Sequence, residues 1–317
     1  MRKPNSVSSP YMKSLLVILA LAPIALASPL AAPVMAQTTP AQTAPAATTA
    51  DQASPGTPIV VKYAPPSQTT VLGTTFVDWD ALTVRTTANG EQRAVFDNPT
   101  PTLEKFEMHI STLNPGKMSH PVHQHPWEEI LVIKDGEMDA SINGVIHHAG
   151  PGSLIFFASH DVHNAQNNGT VPATYYVINF VTDLVHTVAD KPAAEQAVAG
   201  MLPSSVIDSN SAPAVATATG SRASVVDSPT LTFARLESHI TTLNVGASTA
   251  ADIVDPGDEL FIVKSGAIEA RVNGVAARIN AGSFFYCAPN DKRTFRNIGT
   301  TPAVYQVIKV MSDKSPK

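Results

Sequence analysis

Three histidines and a glutamate are the residues of this sequence best suited to chemistry. His123-Gln124-His125 runs into Pro126-Trp127-Glu128-Glu129, and His163 follows further on. Residues two apart on a strand project from one face, so His123 and His125 aim at a common point. Glu129 opens the apolar run EILVIK and can face the same interior, while strand alternation turns Glu128 outward. Three imidazoles and a carboxylate make a mixed nitrogen and oxygen donor set. Such a set suits one divalent transition metal, and Mn, Fe, Ni, Cu and Zn all remain open on spacing alone. Taken singly, His-x-His also fits a pair of surface or core histidines, and His-Pro-Trp-Glu-Glu fits a solvated loop.

The elements that must position these residues are strands. Glu129–Lys134 and Ser153–Phe157 are short apolar runs, bounded by Asp135-Gly136, Asn143-Gly144 and Pro151-Gly152. Asn-Gly and Asp-Gly turns tolerate positive φ and join hairpins. The chain also repeats itself at an offset of 130 residues, without a gap, from position 78 to 178. His109-Ile110-Ser111-Thr112-Leu113-Asn114 is answered by His239-Ile240-Thr241-Thr242-Leu243-Asn244, and Asn143-Gly144-Val145 by Asn273-Gly274-Val275. Many short strands with regular turns, duplicated, give an all-β chain of two sandwiches or barrels. Asp190–Leu202 reads as a short helix between the repeats, and Ser204–Ala218 as a soft polar crossing.

The residues Gly116, His123, His125, Glu129 and Gly136 resemble the first motif of the cupin superfamily, with a six-residue spacer after Gly116. Gly152, His163 and Asn167 match part of the second motif, and Ser159-His160-Asp161 replaces its usual Pro-x-Gly turn. The resemblance covers roughly 78–181 and again 208–312. It implies two double-stranded β-helix (jelly-roll) barrels in tandem, a bicupin, with a metal inside the first barrel on His123, His125, Glu129 and His163. In the second repeat Ile253, Asp255, Glu259 and Arg293 stand where these four stand in the first. An isoleucine cannot ligate and an arginine repels a cation, so the second repeat is expected to be metal-free. It serves as a packing partner, or Arg293 and Glu259 pair internally. An anionic ligand on Arg293 is the lesser alternative. Near the first site His160 is a candidate acid or base, and Trp127 and Asn167 are candidate substrate contacts. Each has a bland counterpart: an exposed turn histidine, a loop brace and a turn holder. His147 and His148 belong on a surface hairpin, and Cys287 in the core.

The chain has 317 residues, a formal net charge of −5 and one cysteine. The length suits two domains. The mild acidity, without a basic stripe, argues against nucleic acid as a partner, and a lone cysteine excludes an internal disulfide. Arg2, Lys3 and Lys13 precede the apolar run Leu15–Ala27, and Val34-Met35-Ala36 fits a small-x-small cleavage site. This is the pattern of a secretory signal peptide over 1–36. A Thr-, Pro- and Ala-rich linker follows over 37–58, then a metal-binding first domain over 59–183, a connection over 184–203 and a second domain over 204–317. The expected protein is periplasmic or secreted, without a membrane span after cleavage, and able to form a homodimer. The resemblance implies a small-molecule metalloenzyme of dioxygenase or lyase type. The alternatives are a non-catalytic sugar or small-ligand binding protein, or a bicupin similar to ureidoglycine aminohydrolases.

Overall fold

The computed structural model describes residues 58–188 and 199–317. The expected signal peptide, all of the linker but Pro58, and most of the helix expected at Asp190–Leu202 lie outside the described residues. No helix among the described residues is long and apolar enough to cross a membrane.

The chain is all-β, and each repeat forms a jelly-roll barrel of two sheets. The first repeat sets a seven-stranded sheet against a five-stranded one, and the second sets seven strands against three. The runs Glu129–Asp135 and Ser153–Phe157 form strands as the sequence indicates, and they pair antiparallel with Phe157 opposite Glu129. Positive φ at Asn143 and Gly144, and at Asn273 and Gly274, closes the equivalent hairpins. His148 is exposed on the first of them, and Cys287 is buried.

Both faces of the central strands are covered, which explains why they read as continuous apolar runs rather than alternating ones. Leu131 and Ile133 point into the first barrel with Phe157 and Tyr175. Ile130 and Val132 point the other way, into a core shared by the two repeats that includes Phe106, Tyr176, Leu260, Phe284 and Tyr286.

The repeats also exchange strands. Thr75–Val77, from the first repeat, pairs with Phe284–Cys287 of the second. Ser205–Asp208 pairs in turn with Ser153–Phe157 of the first. The soft crossing expected over Ser204–Ala218 is therefore corrected: it holds this exchanged strand and a second one, Ala214–Thr217, which forms a hairpin with Gly220–Ser228. These segments are strands because sheet edges supply the backbone partners that their composition does not advertise.

A carboxylate crosses the shared face in each direction. Glu128, turned away from the first barrel, is 1% exposed, because what lies outward is the second repeat and not water. It accepts hydrogen bonds from the Thr230 hydroxyl at 2.6 Å, the Leu231 amide at 2.9 Å and the Thr232 hydroxyl at 2.8 Å. Asp258, its counterpart, accepts from Thr102 and from the Tyr286 hydroxyl. Burial, opposed by these hydrogen bonds, pushes Glu128 up to about 7. The folded protein therefore holds a proton that the unfolded chain gives up near its ordinary value of 4.5. Stability from this group is complete below about pH 4.5 and is lost as pH rises through about 7. Glu128→Gln should flatten the pH dependence of unfolding free energy in that window by on the order of 3 kcal/mol. Equal slopes for variant and wild type in urea titrations would refute it.

Candidate metal centre

The first barrel brings His123, His125 and His163 together. Their candidate ligand atoms all lie within 4.8 Å of one another. His123 stands on the two-residue strand His123–Gln124, opposite His163 on the antiparallel strand His163–Gln166. Glu129 starts the neighbouring strand, with a carboxylate oxygen 3.7 Å from His125 Nε2.

Each imidazole is oriented from behind. Nδ1 of His123 meets the carbonyl of His163 at 3.1 Å, Nδ1 of His125 that of Trp127 at 2.8 Å, and Nδ1 of His163 that of Asp161 at 2.7 Å. A carbonyl only accepts, so each Nδ1 carries the proton and each Nε2 keeps its lone pair. Backbone carbonyls commonly hold metal-ligating histidines in this way. Nε2 of His125 and of His163 are buried and have no hydrogen-bond partner. Buried polar atoms left without partners are rare, and two of them aimed at one point beside a carboxylate fit a metal ion. Burial, and next the neighbouring histidine, pushes His123 down to about 4 and His163 down to about 3. Burial opposes ionisation of Glu129, but His125 first, then His163 and His120, hold it at about 2. A neutral His123 and His163 beside an anionic Glu129 are the ligand forms that a divalent cation requires.

Glu129 and His163 line a cavity of about 360 Å³ inside the barrel, with Arg85, His109, His120 and Tyr175 also on its wall. His109 and His120 are functional candidates that sequence reasoning passed over. His109 Nδ1 lies 2.7 Å from Glu107. Burial would lower its pKa, but the carboxylates of Glu107 and Glu129 outweigh this and raise it. Its only sequence signal is membership of the run repeated as His239–Asn244.

The three other candidates do not reach the cavity. Trp127 stacks on His125 at 4.0 Å and 1°, and donates its indole N–H to Asn179 at 3.2 Å. It braces a ligand. Asn167 donates to the carbonyls of Leu113 and Val171, both at 2.8 Å, and accepts from the Gly169 amide, so it holds a turn. His160 has φ +62° and is buried, with Nε2 2.8 Å from the Val188 carbonyl. Its backbone amide donates to the carbonyl of His125 at 2.8 Å, which steadies the loop that carries that histidine. Trp127→Ala should keep the fold and weaken metal binding about 10-fold, as for other residues that support a ligand. Competition with a chromophoric chelator would measure this, and an unchanged affinity would refute the bracing role.

In the second repeat, Arg293 and Glu259 form the internal ion pair, at 2.5 Å and buried. Ile253 lies opposite Arg293 in an isolated bridge. Among the described residues only the first repeat gathers three histidines.

The family described as Cupin domain matches residues 109–179 and again 239–309. The chain is built from two cupin domains. Among solved structures the bicupin is similar to oxalate decarboxylase from Lactobacillus farciminis in complex with formate. The identity is 14%, the TM-score 0.59, and the match covers 80% of this chain and 90% of that one. It is also similar to AerE from Microcystis aeruginosa, at 13% identity and TM-score 0.53, over 76% and 98% of the two chains. A variant of the Bacillus subtilis oxalate decarboxylase gives 16% and 0.58 over 78% and 79%. At such identities the likeness is one of fold. No curated protein matches the bicupin in sequence.

Proposed function

We propose that the first cupin holds one divalent transition metal on His123, His125, Glu129 and His163, and acts with it on a small organic acid as a lyase or oxygenase. The observation that carries this reading is the pair of orphaned Nε2 atoms beside an anionic Glu129, which with His163 lines a cavity sized for a small molecule. A bound metal would polarise an oxygen-bearing substrate. Arg85 supplies a positive charge to the same cavity, and His109 an imidazole whose pKa the Glu107 carboxylate raises against burial. Two of the similar folds are oxalate decarboxylases, which supports a carboxylate as the first substrate class to try. The charged, apolar and small-residue segments at the N-terminus support export of the mature protein.

The test is metal analysis by mass spectrometry on untagged mature protein, followed by assays of carbon dioxide release and oxygen uptake with short mono- and dicarboxylates. About one Mn, Fe, Ni, Cu or Zn per chain together with turnover is the expected result. Metal with binding but no turnover would favour the binding-protein alternative. No metal retained after reconstitution would overturn the site.

A further inference from the structure

The second cupin lacks the metal ligands but has not closed its interior. It encloses a cavity of about 540 Å³, larger than the first. Protein interiors pack densely, and a barrel retained only as a structural partner gains by filling such a space. The cavity walls of the two repeats correspond at the 130-residue offset. His109, Leu113, Tyr175 and Val177 line the first, and His239, Leu243, Tyr305 and Val307 line the second. The wall has been kept, and the change is confined largely to the pole where the metal ligands stand.

At that pole the charge is rebuilt. The first cavity has Arg85 against Glu91 and Glu129, so it becomes net positive only with a divalent ion. The second has Arg222, Arg235, Arg293 and Lys309 against Glu237, Asp255 and Glu259, so its lining is net positive, with Asp227 outside the lining holding Arg235 at 2.7 Å. Arg293 and Lys309 are deep, whereas Arg222 and Arg235 are about half exposed at the mouth. Lys309 is held by Glu237 at 2.7 Å and Asp255 at 3.0 Å, and Arg293 by Glu259, which fixes these cations in place. Burial pushes the Glu259 carboxyl upward, against the pull of the Arg293 guanidinium beside it. Phe261, Phe295 and Tyr305 form an apolar floor, with Phe261 and Phe295 centroids 4.9 Å apart.

We infer that the second cupin is a metal-independent binding site for a small organic carboxylate, with the anionic group on the arginine and lysine side chains and the carbon body on the aromatic floor. Guanidinium forks match carboxylates in shape as well as charge. The floor accounts for the rest of the molecule.

The test uses the full chain carrying His163→Ala and stripped with a chelator, so that no metal contributes. Benzoate, succinate and the neutral isostere benzamide are titrated by calorimetry. The expected result is one equivalent of carboxylate bound, with benzamide at least ~10-fold weaker. Arg222→Ala, and Ala250→Trp, which blocks the exposed mouth, should each weaken binding by ~10-fold or more. Ala88→Trp, which obstructs the first cavity, should leave binding unchanged. Circular dichroism checks that every variant is folded. Absence of binding at millimolar carboxylate, equal binding of benzamide, or sensitivity to Ala88→Trp in place of Ala250→Trp would each overturn the inference.

Discussion

His163→Ala should leave a folded protein that no longer retains metal. His163 is 1% exposed, packs its ring against Phe157 at 4.1 Å and 14°, and aims an orphaned Nε2 at His123 and His125. Truncation removes one of the four proposed donors from the site. The loss should exceed the ~100-fold that removing a supporting residue costs, which leaves the site empty at micromolar metal. Stability of the metal-free form should change less than a buried truncation ordinarily implies, because a buried nitrogen without a partner is removed with the ring. Arg293→Ala, at the matching position of the second repeat, should retain full metal content. Mass spectrometry of the two variants beside wild type decides the matter: equal metal in wild type and His163→Ala would sink the assignment.

The second large effect lies outside the site. Glu128→Ala should cost about 2–3 kcal/mol of stability at pH 5, because it leaves the Thr230 and Thr232 hydroxyls and the Leu231 amide buried without their acceptor. For a chain of this size that is a fall in Tm of roughly 3–6 °C. Glu128→Gln keeps an acceptor and should lose less. Thermal unfolding monitored by circular dichroism separates the two, and a cost below ~1 kcal/mol for the alanine variant would show that the latch is idle. The metal content of Glu128→Gln should match wild type, since the side chain turns away from the ligands.

Much of this architecture is legible in the residues. Period-two placement of His123 and His125, positive-φ turns at Asn143-Gly144, and the 130-residue echo each follow from local rules, and the strands form where those rules put them. Partner choice is another matter. Nothing in Thr75–Val77 or Ser205–Asp208 says which sheet edge they will join, because a three- or four-residue strand encodes its own extension and not its neighbour. Glu128 shows the same limit: alternation gives the direction of the side chain, while what waits there is set by tertiary packing. Residue type alone likewise could not separate Trp127 as a brace from Trp127 as a substrate platform. It gave no reason to prefer His109, whose role depends on Glu107 two residues earlier and on Glu129 across the barrel.

The exchanged strands bear on how such a chain could arise. Either half expressed alone would carry an uncovered edge, along Ser153–Phe157 or along Phe284–Cys287, and an uncovered edge recruits other chains. Two halves made separately would therefore complement one another as fragments, each sealing the other. A single-repeat ancestor with the same geometry is a two-fold dimer trading arms. Gene duplication and fusion then only had to tie the end of one subunit to the start of the next. Once the two subunits were tied, one of them could give up its histidines while still sealing the barrel of the other.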